Sequence, residues 1–313
     1  MIVTVTLNPS LDEWIQLPTL AMGTLNRATG FARYPGGKGI NVSRVIKELG
    51  ERTLAVATSG GHDGVILHGL LRRLGIRCAV VPVEGSTRNN YKIRTVSPHG
   101  LTEINTPGPR VSATALDQVE QRVMGQQPRP TCVVLSGSLP PGVRSSMYAR
   151  WIRRLQHRGI PAVLDSSGAA LRHGVAARPW LIKPNRPEAE ELLQTKLAHQ
   201  TAIVRGVREL LARGVRLVIL SMGREGAMLG SVSPSGLWMG RPPRVKSETA
   251  VGAGDSLVAG FLVGWQRTRS LVDAFRWGLA SGAATAMAPG TQLCRRADVV
   301  RLVKQVRIRT ITA

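Results

Sequence analysis

The sequence predicts an α/β fold with a doubly wound, mostly parallel sheet that is flanked by helices on both faces. Short apolar segments typical of buried strands alternate with longer segments in which apolar residues recur at helical spacing. Polar residues suited to ligand binding follow directly after several predicted strands, where the carboxyl ends of parallel strands meet. The chain has 313 residues without a visible repeat or linker, so we expect a single domain over residues 1–313.

The predicted elements alternate from the first residue. Alternating apolar residues predict a first strand over residues 1–7. The alternation that follows implies right-handed crossovers between parallel strands. The further predicted elements are helix 40–49, strand 52–57, helix 65–74, strand 78–83, helix 112–124, strand 132–135, helix 145–157, strand 161–164, strand 180–182, helix 187–194, helix 202–213 and strand 217–220.

Four further segments look like strands but are too polar for the middle of a sheet that is covered on both faces. They are residues 13–17, 28–34, 89–95 and 101–105, and a turn over 97–100 joins the last two. We expect them to leave the main sheet as a small β flap, in two excursions at about 13–34 and 88–106.

Residues 250–256, Ala-Val-Gly-Ala-Gly-Asp-Ser, precede an apolar helical stripe from Leu257 to Trp265. The glycines permit a tight turn with uncovered amides, and a helix N-terminus attracts anions. Asp255 is then either an N-terminal capping residue or a base beside a phosphate cradle. The motif alone leaves both interpretations open.

A second glycine-rich turn, residues 35–39, precedes the helix that contains Asn41. Its glycines allow a ligand to approach the backbone closely. The chain has no Gly-x-x-x-x-Gly-Lys-Ser/Thr string, and Val42 stands where a Rossmann fingerprint needs glycine. By itself this turn could be purely structural.

Residues 249–261 resemble the C-terminal signature of the PfkB-type (ribokinase-like) carbohydrate kinases, and residues 36–43 resemble the N-terminal one. The resemblance extends over nearly the whole chain and is nearest to the phosphofructokinase and tagatose-6-phosphate kinase branch. One departure is that Ala250 stands where the family usually has threonine. The resemblance implies a ribokinase-like fold with a β-lid over the sugar, and a homodimer formed through that lid.

The resemblance also implies an activity: ATP-dependent phosphorylation of a ketohexose phosphate, with Mg²⁺ as the metal cofactor. Fructose 1-phosphate is the expected acceptor, with fructose 6-phosphate and tagatose 6-phosphate as the alternatives. Asp255 would take the proton of the acceptor hydroxyl, and the amides of Gly252, Ala253 and Gly254 would stabilise the developing charge.

The remaining site residues are implied in the same way. The resemblance assigns substrate binding to Asp12, Arg27, Gly37, Lys38, Asn41, Arg88 and Ser138. It assigns ATP binding to Lys183, Asn185, Ser221, Gly223 and Gly226. Asn185 and Glu188 would also hold Mg²⁺ through water. Simpler interpretations stay open: a turn residue for Asp12, surface arginines for Arg27 and Arg88, and a helix start at Asn185–Glu188.

The charge is strongly positive, with 42 Lys and Arg against 19 Asp and Glu, a formal net charge of +23. Such a field attracts nucleic acid as well as sugar phosphates, so a nucleic-acid-binding protein on a kinase-like scaffold is the alternative of another class. The arginines are scattered, aromatic residues rarely stand among them, and no nucleic-acid motif accompanies them. We therefore expect no nucleic-acid partner.

The chain shows no run of 18 apolar residues, which argues against a membrane span. Its first seven residues read as a strand and lack the basic start of a signal peptide. The three cysteines are widely spaced, without metal-ligand patterns, as in reduced thiols. The expected location is the cytoplasm.

Overall fold

The computed structural model describes residues 1–312, which form two β-sheets and ten helices. The strands are β1 (Ile2–Thr6), β2 (Ser10–Leu17), β3 (Gly30–Gly36), β4 (Thr53–Ser59), β5 (Cys78–Pro82), β6 (Arg88–Thr95), β7 (Gly100–Asn105), β8 (Cys132–Ser136), β9 (Ala162–Asp165), β10 (Leu181–Ile182), β11 (Leu217–Ser221), β12 (Ala227–Val232), β13 (Ser235–Arg241) and β14 (Arg307–Thr310).

The helices lie between the strands of the main sheet and after its last hairpin. They are α1 (Lys38–Glu48), α2 (Gly61–Arg73), α3 (Ala113–Met124), α4 (Met147–His157), α5 (Gly168–Ala176), α6 (Arg186–Leu193), α7 (Gln200–Ala212), α8 (Ala253–Thr268), α9 (Leu271–Ala286) and α10 (Arg296–Val303), with a short 3₁₀ turn at Gly223–Glu225. In the described part of the chain, none of these helices has the length and apolar character needed to cross a bilayer.

The main sheet has ten strands in the order β14-β13-β12-β11-β10-β9-β8-β1-β4-β5. Seven neighbouring strands of this sheet pair in parallel: β11, β10, β9, β8, β1, β4 and β5. Strands β12, β13 and β14 extend the β11 side as antiparallel strands. Their carboxyl ends share one edge, so the loops after β1, β8, β9, β10 and β11 meet there. The predicted doubly wound, mostly parallel fold is confirmed.

Helices cover both faces of this sheet. The apolar residues of α3 to α7 pack in one buried cluster, and those of α1, α8, α9 and α10 pack in another. Strand β1 contributes to both faces, because Val3 and Val5 join the first cluster and Ile2 joins the second. Every residue of β1 is buried, as expected for a central parallel strand.

Helices α8 and α9 pack against each other through small residues. A Cβ atom added at Gly260 would lie 2.3 Å from Ser281 Oγ and 2.6 Å from the Trp277 carbonyl oxygen. A Cβ at Gly278 would lie 2.8 Å from the Leu257 carbonyl oxygen. The two backbones therefore approach more closely than larger residues would permit, and this contact fixes the position of the turn that precedes α8.

The second sheet has four strands in the order β3-β2-β6-β7. β2 and β6 pair in parallel, and β3 and β7 are antiparallel edge strands. These strands come from the four segments that the sequence analysis assigned to a β flap, with β2 beginning earlier, at Ser10, and β3 ending later, at Gly36. Asp12 therefore lies in a strand, not in a turn after β1.

Several elements had no counterpart in the sequence analysis. They are α5, α9, α10, the β12–β13 hairpin and the edge strand β14. The hairpin and β14 add three antiparallel strands to one side of the predicted parallel sheet.

Candidate active site

The turn before α8 presents unpaired amides at a helix N-terminus. Gly252 caps the helix with φ 76°, in the left-handed region that favours glycine. The amides of Gly252 and Gly254 donate to no acceptor within the described residues, whereas the Ala253 amide donates to the Ala250 carbonyl at 3.2 Å. Two of the three amides predicted to stabilise charge are thus free to bind an anion.

A buried hydrogen-bond chain supports this turn from the other side. Ser256 Oγ donates to the Gly252 carbonyl at 2.9 Å, and Thr285 Oγ1 of α9 donates to Ser256 Oγ at 2.7 Å. The Cys294 amide in turn donates to Thr285 Oγ1 at 2.9 Å. The unpaired amides therefore belong to a turn that α9 and the following loop hold in place.

Asp255 lies in the first turn of α8 and is 6% exposed. Its side chain makes no cap hydrogen bond to the helix; it accepts one from Asn41 Nδ2 of α1 at 2.9 Å. Burial and the negative charge of Asp165 raise its pKa to about 6, against the opposing effects of Lys38, Asn41 and Lys183. A carboxyl group with that pKa is mostly ionised at neutral pH and can still accept a proton.

Asp165 is a site residue that the sequence analysis did not identify. It ends β9, is fully buried, and accepts a hydrogen bond from Lys38 Nζ at 2.9 Å, with Lys183 Nζ at 3.4 Å from the same oxygen. Although burial opposes ionisation, the two ammonium groups hold the pKa of Asp165 below its usual value, and the negative charge of Asp165 in turn raises the pKa of Lys38. Its position after a strand was the available signal; its lysine partners lie far away in sequence.

Lys183 extends from this pair towards the turn before α8. A Cβ atom at Gly254 would lie 3.3 Å from Lys183 Nζ, so the ammonium group is next to the free amides. The structure therefore brings together an ionisable carboxylate, two ammonium groups and two free amides at the carboxyl edge of the parallel strands.

Asp12 lies on the second sheet and is 5% exposed. Its Oδ1 accepts hydrogen bonds from Ser10 Oγ at 2.9 Å and from Asn90 Nδ2 at 3.2 Å. Gly36 is required here, because a Cβ atom would lie 2.3 Å from Asp12 Oδ1. The carboxylate is thereby fixed beside the glycine turn that leads into α1.

Arg88 begins β6 directly opposite Ser10, and its Nε donates to the Asn8 carbonyl at 3.3 Å. Burial lowers the pKa of Arg88, partly offset by the charge of Asp12. Asn8 also donates from Nδ2 to Ser138 Oγ at 3.2 Å. Arg88, Asp12 and Ser138 thus surround the end of β1, as a common binding site requires.

Gly37 and Lys38 begin α1 from the predicted glycine turn. Gly37 is the N-terminal cap with φ 111°, and a Cβ atom there would lie 2.8 Å from Thr6 Cγ2. Arg27 differs from the other predicted substrate residues. It is exposed in the connection between β2 and β3. This connection follows the last β2–β3 pair, Gln16 with Gly30, at the end of the hairpin that is farther from Asp12. The described chain does not bring Arg27 to the other residues.

Asn185 and Glu188 form a reciprocal cap at the start of α6. Asn185 Oδ1 accepts from the Glu188 amide and Glu188 Oε2 accepts from the Asn185 amide, both at 2.8 Å. The helix-start interpretation is therefore correct, and it leaves Glu188 Oε1 available. Ser221 forms an isolated bridge with Asn185, which places the loop after β11 beside this cap.

The same loop contains Gly223 and Gly226, both with positive φ. A Cβ atom at Gly226 would lie 2.0 Å from the Gly240 carbonyl oxygen, whereas one at Gly223 would meet open space. Gly226 is thus required by packing, and Gly223 leaves an uncovered surface at the edge of the sheet.

Comparison with known proteins identifies the family. The sequence model described as "pfkB family carbohydrate kinase" matches residues 5–298. The chain belongs to this family. The pfkB-family chain is 35% identical over 312 residues to the 1-phosphofructokinase of Bacillus subtilis, covering 98% of this chain and 99% of that protein. It is 33% identical to an ATP-dependent 6-phosphofructokinase isozyme 2 of Mycobacterium tuberculosis, covering 96% and 88%.

Solved structures of two other kinases share the fold. Phosphofructokinase-2 from Escherichia coli superposes with a TM-score of 0.92 at 32% identity, covering 97% of this chain and 98% of that one. A ribokinase from Thermotoga maritima superposes with a TM-score of 0.78 at 18% identity, covering 97% and 99%. The first of these places the present chain among the phosphofructokinase-like members, and the second shows that the fold is ribokinase-like.

Proposed function

We propose that this pfkB-family kinase transfers the γ-phosphoryl group of ATP to fructose 1-phosphate, acting as a 1-phosphofructokinase. The supporting observation is the buried Asp255 carboxylate, with its pKa raised to about 6, in the first turn of the helix whose N-terminus has two free amides. Relatives of both phosphofructokinase kinds resemble the chain at similar identity. Fructose 6-phosphate and tagatose 6-phosphate are therefore the alternative acceptors.

In the proposed reaction, Asp255 takes the proton of the acceptor hydroxyl while the oxygen attacks the γ-phosphoryl group. The amides of Gly252 and Gly254 stabilise the charge that develops on the transferred group, with Lys183 beside them. Asp12 orients the sugar hydroxyls and Arg88 binds the sugar phosphate, whereas Lys38, paired with Asp165 next to Lys183, faces the transferred phosphoryl group.

Asn185 and Glu188 suit a Mg²⁺ ion held through water. In residues 1–312 no group of three or more His, Cys, Asp or Glu could hold a metal directly, and Mg²⁺ commonly keeps several waters. The free Glu188 Oε1 fits such an outer contact. When bound, Mg²⁺ would neutralise charge on the nucleotide phosphates.

A coupled assay of ADP release tests the substrate. Fructose 1-phosphate, fructose 6-phosphate, tagatose 6-phosphate and free fructose are each titrated at saturating ATP. The largest kcat/KM is expected for fructose 1-phosphate, because contacts to individual ring hydroxyls discriminate between sugars that bear the same charge. A tenfold preference for fructose 6-phosphate would overturn the choice of acceptor. A preference for free fructose would also remove Arg88 as the phosphate contact.

We further propose that two copies associate through the second sheet. The register places Ile15, Phe31, Tyr91, Ile93 and Ile104 on one face, opposite to the face that contains Asp12. Phe31 is 60% exposed and Ile104 is 51% exposed. Apolar residues clustered in this way on a sheet are typical of an interface between protein chains.

A further inference from the structure

A cavity of about 360 Å³ lies at the antiparallel end of the main sheet, on the face that α7 covers. Four arginines and one histidine line it: Arg186, His199, Arg224, Arg241 and Arg244. Its apolar part is formed by Ile203 of α7, Met222 and Met239. We refer to it below as the arginine cavity.

The positive charge of the arginine cavity is largely uncompensated. Glu225 is the one acidic residue in its lining; it is exposed and pairs with Arg186 at 2.9 Å. Arg224, Arg241 and Arg244 make no ion pair or side-chain hydrogen bond with any described residue. The Nε atom of Arg186 is buried and has no partner within residues 1–312. An N–H group in that position is expected to have an acceptor.

The basic surface continues from the cavity along the edge of the sheet. Arg307 of β14 stands directly opposite Arg241 of β13, and Arg309 stands opposite Met239. Paired residues share a face, so these two arginines lie on the same face as the cavity. The resulting strip of guanidinium groups is longer than a single phosphate group can span.

The arginine cavity is separate from the site around Asp255. Its residues come from α6, α7, the loop after β11 and the end of β13, on the face of the α7 cluster. Asp255 belongs to α8, which packs on the opposite face. The two sites meet at the loop over residues 221–226 and at the start of α6, where Arg186 of the cavity follows Asn185.

We propose that the arginine cavity binds a short chain of phosphate groups, supplied either by a free oligophosphate or by a nucleoside triphosphate. Guanidinium groups form paired charge-assisted hydrogen bonds with phosphate oxygens, and adjacent phosphates can occupy several arginines at once. The lining lacks the Phe, Tyr and Trp side chains on which the bases of a single-stranded nucleic acid commonly stack. This proposal does not depend on which sugar the kinase phosphorylates.

Calorimetry with inorganic tripolyphosphate tests the proposal on the full-length protein, at about 0.15 M salt and with Mg²⁺ and a saturating non-hydrolysable ATP analogue. The test variant is Arg241→Gln with Arg244→Gln. The control is Arg72→Gln with Arg73→Gln, which removes the same charge from an exposed site on α2, at the other end of the sheet. If the analogue leaves the arginine cavity vacant, the wild type and the control are expected to bind tripolyphosphate alike, and the test variant at least about tenfold more weakly.

The stoichiometry of the ATP analogue distinguishes the two sources of phosphate. One analogue per chain, with tripolyphosphate bound beside it, supports a free oligophosphate. Two analogues per chain in the wild type and one in the test variant support a nucleoside triphosphate. One analogue per chain without tripolyphosphate binding would overturn the proposal. Equal weakening in the test and control variants would also overturn it, since only general charge attraction would then be at work.

Discussion

At the scale of single residues, Asp255 is held in a balance between opposing effects. Burial and the charge of Asp165 favour its protonated form, whereas Lys38, Asn41 and Lys183 favour the carboxylate. A surface aspartate would be a weaker base, because its pKa would lie near its usual value of about 4. The raised pKa makes proton acceptance more favourable while most molecules stay ionised at neutral pH.

Replacing Asp255 with asparagine tests its role as the base. The introduced amide can still accept the hydrogen bond from Asn41 through its oxygen, so the fold is expected to survive. Because the buried carboxylate has a raised pKa, its removal is expected not to lower the melting temperature at neutral pH. We expect kcat to fall by about 10²- to 10⁴-fold, measured as ADP release at saturating substrates. Activity within a few-fold of the wild type would contradict the assignment of Asp255 as the base.

The pH profile gives a second test at the same scale. Since Asp255 acts as the carboxylate, kcat/KM is expected to decline as the pH falls through about 6. The Asn41→Ala substitution removes a hydrogen bond that lowers this pKa, so the decline is expected to move to higher pH. The sugar phosphate titrates in the same range. Because both proteins are measured on the same substrate, a difference between the pH profiles of the wild type and Asn41→Ala comes from a group of the enzyme. Identical profiles would contradict the assignment of Asp255 as that group.

Residue patterns predicted part of this site and missed the rest. The glycine turns before α1 and α8 were recognisable, because positive φ and close backbone approach require glycine at Gly37 and Gly252. Asp165 was not recognisable, because its role depends on Lys38 and Lys183, which approach it only in the folded chain. Pairings across such distances leave no local pattern.

At the scale of elements, the helices with a clear apolar face were the ones that the sequence predicted well. Helices with one apolar face, such as α4 and α7, were predicted close to their observed bounds. Helix α9 was missed, because it is rich in glycine and alanine and is buried on most of its surface. The β12–β13 hairpin was missed because the parallel alternation gave no reason to expect antiparallel strands after β11.

The close contact of α8 and α9 leads to a prediction with a matched control. Gly260→Ala would place a methyl group 2.6 Å from the Trp277 carbonyl oxygen, so it is expected to lower the free energy of unfolding by about 1–3 kcal/mol. Gly69→Ala on α2 meets no atom within 4 Å and is expected to raise it by up to about 1 kcal/mol. Urea unfolding of both variants measures these changes. Equal effects would show that helix propensity, not contact between α8 and α9, decides the result.

At the scale of the whole molecule, the net charge is +23, and acidic side chains pair with only some of the basic ones. Some arginines are paired, as in the contacts of Arg150 and Arg154 with the buried Glu120. Three arginines without an ion pair within residues 1–312, Arg224, Arg241 and Arg244, line the cavity beside α7. The nucleic-acid interpretation gains no support from this arrangement, because the cavity is concave and its lining has no Phe, Tyr or Trp.

The last prediction concerns assembly of the whole molecule. If the apolar face of the second sheet joins two copies, the protein is expected to have twice the chain mass of 33.7 kDa in solution. Phe31→Asp would place two charges in that interface and is expected to give a monomer, because unpaired buried charge is costly. Val65→Asp on α2, where Val65 is 72% exposed, is the control and is expected to leave the mass unchanged. Light scattering after size-exclusion chromatography measures all three proteins. A wild-type monomer, or a Phe31→Asp dimer, would mean that this apolar face does not join two copies.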